Sequence, residues 1–491
     1  MEGGLLANPS FAVLCSVTVV IGWLLHWAYR SVYPPCKGIL PPDSMGFPII
    51  GETLQYLKPS HSMDMRSYYC QRLKRYGPVF KTYLVGQPVV ISLDPEFDRF
   101  IFQQEGKLFR IWYPQTANFI FGKKSLITYT GTVHKFVPSF ASKLFGPENL
   151  KEVLIQQLED AMKQGFTAWA AKPSIEVKDA VADMIFDLVA KKVIGFGPEE
   201  SKELRKNFQD FLKGMLCFPI YFPGTSFYKS MEGRRNVDKK LTQLLKHRLR
   251  TPEKKHGDLL DLLVEELRSE KPVIDETFAI DALVAILFGS FATISGVLTV
   301  GLKMLRDNPQ VVKTLKEEHE AILKKRADRN SGFTWEEYKS LKFTTQVTEL
   351  QTLSVPPNEI TRLSNIPPGI FRRTLTDVQV NGYTIPSGWL VMISPMAVHL
   401  NPTLFEDPLK FNPWRWSDET KRSMQQRNFM PFGGGIRLCL GADDFAKLFI
   451  SLFLHVLVPN YRWIEIKGRE VSCTGEMLVP QGYHMQLVPT A

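Results

Sequence analysis

The stretch FMPFGGGIRLCLG (429–441) places a single cysteine, Cys439, between a run of glycines and a long apolar segment. The glycines Gly433–Gly435 allow backbone to approach a bulky, flat group closely. Arg437, two residues before the cysteine, can reach an anion. After Gly441 the chain reads ADDFAKLFISLFLHVLV, which predicts an apolar helix with Asp443 and Asp444 in its first turn. Cys439 therefore precedes a helix N-terminus, where the macrodipole favours the thiolate, the form in which cysteine reacts and binds metals. A lone cysteine in a core is usually inert packing, so the reading depends on what surrounds it.

The elements able to hold such a loop are mostly helical. The chain has 491 residues, 44% of them hydrophobic, with no low-complexity linker or internal repeat, enough for a large core. From residue 147 to about 330 apolar residues recur at helical spacing, as in LLDLLVEELRSE. The longest candidate is FAIDALVAILFGSFATISGVLTVGLKMLRDNP (278–309), with Pro309 as its stop. About 30 helical residues span ~45 Å. A helix apolar around most of its circumference belongs in the centre of a core, with a membrane span as the alternative. Gly289, Ser290, Thr293 and Ser295 give its middle a polar notch, a place for something to sit. VFKTYLVGQPVVISL (79–93) predicts two strands around a glycine-containing turn. The expected fold class is mainly α with a smaller β-rich part.

Residues 11–29, FAVLCSVTVVIGWLLHWAY, run without an acidic or strongly basic side chain, near the length that crosses a hydrocarbon core. Trp23, Trp27 and Tyr29 gather toward one end, as interfacial aromatics do. A cleaved signal peptide would want a basic start, and the only early charge is Glu2. We read a single-pass anchor with residues 1–10 on the lumenal side of the endoplasmic reticulum. Arg30 and Lys37 on the C-terminal flank put the bulk of the chain in the cytosol. Residues 30–53 contain PPCKGILPPDSMGFPIIGET, a proline-rich strap that favours extended backbone, and 54–491 form the catalytic domain. The six cysteines lie far apart with no C-x-x-C, against a disulfide framework or zinc site and for a reducing compartment. The formal charge of +10 fits an ordinary basic surface, or a docking face for an acidic partner or anionic membrane. Nucleic-acid binding has no support beyond this charge.

The spacing F-x-x-G-x-R-x-C-x-G (Phe432, Gly435, Arg437, Cys439, Gly441) resembles the haem-thiolate loop of the cytochromes P450. Glu359 and Arg362 in NEITRL resemble that family's E-x-x-R pair, and FNPWRW (411–416) resembles the later segment that supplies a second arginine, Arg415. An i,i+3 pair lies on one helical face, and a carboxylate between two guanidiniums can lock the haem-side core. LPPDSMGFPIIGET, FPGTSFYK, EDPLKFNPWRW and FMPFGGGIRLC resemble plant members that oxidise sterols, brassinosteroids and triterpenes. The resemblance covers nearly the whole chain. It implies the cytochrome P450 fold and haem b with the Cys439 thiolate as axial iron ligand. It also implies O2 as co-substrate and electrons from NADPH through NADPH-cytochrome P450 reductase. Phe291, Val297, Pro368, Ile370 and Leu478 are the apolar side chains expected to line a pocket for a large rigid hydrocarbon.

Three departures from the family pattern bear on activity. The central helix usually carries an acid before threonine; here Ala292 precedes Thr293, which leaves Thr293 to organise water on the oxygen side. A helical threonine bonding its own backbone is the plainer reading. In HKFVPSF (134–140) Pro138 stands where relatives have an arginine for a haem propionate. Lys135 or His134 then substitutes in part, with Arg437 and Arg372 as the other propionate partners. TELQTLSVPPN (348–358) reads as an insertion before Glu359. The leading expectation is a monooxygenase hydroxylating a steroid- or triterpenoid-like substrate. The alternatives are a non-catalytic relative that keeps the fold, or a haem-thiolate isomerase.

Overall fold

The structure is a computed structural model. It describes residues 9–32, 36, 38–43, 46–47, 50–61, 63–122, 125–126, 150–215, 217–328, 331–348, 359–439, 441, 445–468, 470–473 and 477–490. Lys135 and Pro138, the insertion from 349 onward, and Asp443 and Asp444 lie outside the described residues. The chain forms two compact units interleaved in sequence. Unit 1 comprises Met1–Pro59, Arg66–Trp112 and Gly369–Ser394; unit 2 comprises Ser60–Met65, Tyr113–Pro368 and Pro395–Ala491.

Unit 1 holds a five-stranded sheet in the order Val79–Leu84, Gln87–Ser92, Leu390–Ile393, Ile370–Thr374, Phe109–Ile111. The two strands expected within 79–93 are its first pair, with Leu84 opposite Gln87. Their turn is Val85-Gly86, and both residues have positive φ (52° and 73°), as the tightest hairpins require. The proline-rich strap is stitched to this unit through backbone. Lys81 N–H donates to Pro42 O at 2.9 Å, Thr384 N–H to Ile39 O at 2.6 Å, and Glu52 N–H to Tyr83 O at 2.9 Å. Prolines suit this position because they supply carbonyls and no unsatisfied N–H. Glu52 is buried and accepts from Arg72 Nε at 2.9 Å, Tyr68 OH at 3.0 Å and Thr82 Oγ1 at 2.7 Å. The N-terminal helix runs Pro9–Val32, so Arg30–Val32 extend the helix where the strap was expected to begin. Its apolar side chains from Val13 to Leu25 are largely exposed.

Unit 2 is helical. Its central helix, Glu276–Asp307, is N-capped by Asp275, whose carboxylate accepts from Phe278 N–H at 2.8 Å. It ends before Pro309, which opens the helix Pro309–Lys325. The central helix is long and apolar enough to cross a bilayer, yet 61% of its apolar stretch is buried inside the protein. It packs against Val177–Ile194 and against the short helix Glu359–Ser364. At Gly301 an added Cβ would come within 2.9 Å of Ile360, so glycine permits that second contact. Helix Phe445–Asn460 packs on Ile155–Ala170 and Pro309–Lys325. A small sheet orders Ile175–Glu176, His484–Pro489 and Tyr461–Lys467, and no disulfide joins cysteines among the described residues.

Candidate functional site

Every residue of helix Glu359–Ser364 is buried, and its ionic pair is bidentate. Arg362 donates from Nε to Glu359 Oε2 at 2.9 Å and from Nη2 to Oε1 at 2.8 Å. Glu359 Oε1 also accepts from Arg415 Nε and from Asn412 N–H, both at 3.0 Å. The remaining donors of Arg415 reach the carbonyls of Glu406 (2.8 Å), Asp407 and Lys410 (3.2 Å each). Arg362 Nη1 reaches His399 O at 2.8 Å. A carboxylate and two guanidiniums are tolerable in a dry core only with this degree of pairing. The structure thus brings Glu359, Arg362 and Arg415 into one cluster.

The cysteine loop is braced from behind. Phe432 and Leu438 pack against the buried cluster of Phe405, Trp416 and Phe429. Cys439 N–H donates to Phe432 O at 3.1 Å, which closes the loop on itself. Gly433 and Gly435 have φ of +77° and +64°, values that side-chain-bearing residues rarely adopt. In front, Cys439 and Gly435 are exposed, as is Ile436 at 62%. Arg437 is half-buried, and a Cβ at Gly441 would meet nothing within 4 Å. The thiol is exposed on a loop whose turn rests on two positive-φ glycines.

The polar notch of the central helix is exposed on one face only, and Ser290 and Ser295 are buried. Gly289 and Thr293, one turn apart in the middle of this buried helix, are exposed, and Ala285, Ile286, Phe288 and Ala292 beside them are half-buried. A Cβ on Gly289 would face open space. Each hydroxyl of the notch returns to its own helix: Thr293 Oγ1 donates to Gly289 O at 3.2 Å, Ser290 to Leu287 O at 2.9 Å, and Ser295 to Ala292 O at 3.3 Å. Phe291 and Val297 are buried, 6% and 7% exposed. Phe291, two residues from both Gly289 and Thr293, faces away from them, whereas Val297 lies one turn beyond Thr293 on the same face. Phe291 sits among Phe186, Phe208 and Phe288, with centroids 5.4, 6.3 and 5.8 Å away. Pro368 in unit 2 and Ile370 in unit 1 are half-buried; the side chain of Leu478 lies outside the described residues. Arg372 is buried in unit 1 with its guanidinium 2.5 Å from Glu105.

The donor chemistry fits a haem. No group of three or more His, Cys, Asp or Glu side chains that could hold a bare metal ion occurs among the described residues. One exposed thiol on a fixed loop suits an iron whose other ligands come from a macrocycle. The open strip of small and apolar residues on the central helix is a surface a flat apolar group or its substrate can approach. Three polar residues were not singled out from the sequence: His399 and Glu52, and Asp281 on the central helix. Arg234 Nη2 donates to Asp281 at 2.5 Å and Nη1 to Ile120 O at 2.7 Å, joining three segments of unit 2. An acid within an apolar helix was the one cue available for that pair.

A family model described as cytochrome P450 matches residues 41–484. The chain is 46% identical over 480 residues to cytochrome P450 87A3 of Oryza sativa subsp. japonica, covering 97% of this chain and 91% of that protein. It is 39% identical over 482 residues to cucurbitadienol 11-hydroxylase of Siraitia grosvenorii, covering 97% and 99%. Among solved structures, retinoic acid-bound cyanobacterial CYP120A1 superposes with a TM-score of 0.79 at 24% identity, covering 93% of this chain and all of that one, a likeness of fold. The braced cysteine loop, the buried Glu359 cluster and these matches lead to one statement: the chain belongs to the cytochrome P450 family of haem-thiolate monooxygenases.

Proposed function

We propose that the protein hydroxylates a large apolar triterpenoid- or steroid-like substrate, using O2 and electrons from NADPH through a membrane-bound reductase. The observation that carries the reading is the coexistence in unit 2 of an exposed thiol on a braced loop and an exposed strip inside a buried helix. When bound, haem b supplies oxygen activation, promoted by electron density from the cysteine thiolate. Cys439 would hold the haem iron through its thiolate; Phe432, Gly435 and Gly441 shape its loop, and Arg437 would take a propionate. Gly289, Ala292 and Thr293 form the face offered to substrate, with Val297 continuing it one turn on and Phe291 packed behind it. Thr293 donates its own proton to Gly289 O, which leaves its oxygen able to accept from a water or a substrate hydroxyl. Ala292 relays no proton, so that water or hydroxyl carries it. Similarity across 97% of the chain to a cucurbitadienol hydroxylase supports the substrate class.

The same proposal places residues 11–29 across the endoplasmic reticulum membrane with 1–10 lumenal, 30–53 as strap and 54–491 as the cytosolic catalytic domain. The exposed apolar face of helix Pro9–Val32 supports it, and 24 helical residues reach ~36 Å. The test is the carbon monoxide difference spectrum of the reduced full-length protein in microsomes, followed by titration with triterpenes and sterols. A thiolate-type Soret band that shifts with substrate is the expected result. A band of a neutral or displaced ligand, or no haem in folded protein, would sink the proposal.

A further inference from the structure

We propose that His399 is a positioning residue for the Cys439 thiolate, a neutral imidazole that ties the Glu359–Arg362–Arg415 cluster to the first amide of the cysteine loop. The inference rests on the reading of Cys439 as the iron ligand.

His399 ends the short helix Pro395–His399 and is 1% exposed. It is held from two directions. Its carbonyl accepts from Arg362 Nη1 at 2.8 Å, and its Nε2 accepts from Met430 N–H at 3.1 Å. Its ring stacks on Phe429 with centroids 5.4 Å apart and stands edge-on to Phe405 at 6.3 Å. The Arg362 guanidinium lies over the same Phe405 ring at 5.3 Å. Beyond Met430 the bonding continues into the loop: Met430 O accepts from Gly433 N–H at 3.2 Å, and Phe432 O from Cys439 N–H at 3.1 Å. A short series of bonds and ring contacts therefore runs from the Glu359 carboxylate to the cysteine.

The chemistry of the imidazole explains why histidine stands here. With Nε2 accepting, the ring proton is on Nδ1, which has no hydrogen-bond partner among the described residues. A buried donor left so is unfavourable, and an apolar ring would pack as well without it. What an apolar ring lacks is the acceptor for Met430 N–H. Burial, then the neighbouring Arg362 charge, lower the His399 pKa to about 3, so the acceptor persists at any ordinary pH. A second proton would sit on Nε2 and oppose the Met430 amide. The fixed loop thus depends on one uncharged nitrogen.

The test uses the full-length protein in microsomes as wild type, His399→Phe and His399→Gln, with three readouts: the carbon monoxide difference spectrum, haem content and thermal melting. Phenylalanine keeps the ring against Phe429 and removes the acceptor; glutamine keeps an acceptor oxygen. For His399→Phe we expect haem to be retained, with the ratio of displaced-ligand to thiolate-type signal rising about tenfold, the effect of one unsatisfied buried amide. His399→Gln should stay within about twofold of wild type, since its amide oxygen still accepts. Where the phenylalanine variant does not accumulate, His399→Leu, which fills much of the space with no acceptor, is read in the same way. A wild-type ratio in the acceptor-less variant overturns the inference, and so does a glutamine variant as damaged as the phenylalanine one. A wild type with no thiolate-type band overturns the ligand reading and this inference with it.

Discussion

Two regions of unit 2 use polar groups in opposite ways. Around Glu359 the chain buries a carboxylate, two guanidiniums and a histidine and gives them partners across 31 to 56 residues of sequence. Along the middle of the central helix it leaves glycine, alanine and threonine, and the hydroxyls bond only backwards into their own helix. The acid that this helix does bury, Asp281, is tied to Arg234 more than two turns before the open strip. Close packing lies behind the thiol, which suits the proposed role of holding a ligand. Exposed small residues and weak polarity are left on the middle of the central helix, which suits the proposed approach of an apolar substrate. A region that holds a cofactor and a region that admits a substrate make incompatible demands on packing.

That contrast breaks first at Glu359. Glu359→Gln leaves Arg362 and Arg415 buried against a neutral amide, and removal of one partner of a buried ion pair costs about 3–5 kcal/mol. Loss of folded, haem-containing protein is the expected outcome; a variant that melts within a few degrees of wild type would show that the cluster does not hold the region together. The next effect comes from acid. Burial holds His399 and His455 at about 3, and His319 well below the ordinary 6.5, with Arg362 adding to the first, Arg326 and Lys163 to the second and His455 to the third. The unfolded chain therefore binds protons that the folded chain excludes. Stability is unaffected above pH 6.5 and falls as pH drops toward 3, by about 1–2 kcal/mol per histidine between pH 6.5 and 5. Denaturant unfolding at the two pH values measures it, and equal midpoints would contradict three neutral buried histidines.

The open strip should respond in the other direction. A Cβ at Gly289 meets no atom within 4 Å, so Gly289→Ala should raise stability by about 0.5–1 kcal/mol, the usual difference between the two residues inside a helix. It should also weaken binding of the bulkiest substrates, read as a larger dissociation constant in the spectral titration; tighter binding would place the substrate elsewhere. The smallest change in stability belongs to Thr293→Ala. Its hydroxyl bonds only Gly289 O and is exposed, so melting should shift by less than about 0.5 kcal/mol in free energy. Product formed per NADPH consumed should fall, and unchanged coupling would reduce Thr293 to a helical threonine bonding its own backbone.

Much of this division was legible in sequence, and the reason is locality. The loop of Cys439 announces itself through glycines and an arginine at fixed spacing, and the central helix through apolar residues that run for eight turns. The notch expected at 289–295 is half right: Gly289 and Thr293 are exposed, whereas Ser290 and Ser295 are buried. Phe291 was harder. Its position on the same helix made it a pocket residue by expectation, whereas the structure turns it into a phenylalanine cluster while its neighbour Phe288 is only half-buried. A rotation of one residue on a helix is about 100°, and the hydrophobic pattern of an all-round apolar helix does not say which face meets the opening.

Sequence alone indicated the central helix, the strand pair within 79–93 and where the thiol lies, because each rests on short-range pattern; the grouping of Glu359 with Arg362 and Arg415 came from the resemblance to the cytochromes P450. Tertiary structure decided the partners of groups whose sequence neighbours are uninformative: His399 between Arg362 and Met430, Arg234 on Asp281, and Glu52 on Arg72. It also decided that the chain leaves unit 1 at Trp112 and returns to it at Gly369. Hydrogen bonds and ion pairs are satisfied by whatever the folded chain brings within about 3 Å, and that proximity is a property of packing that no local periodicity contains.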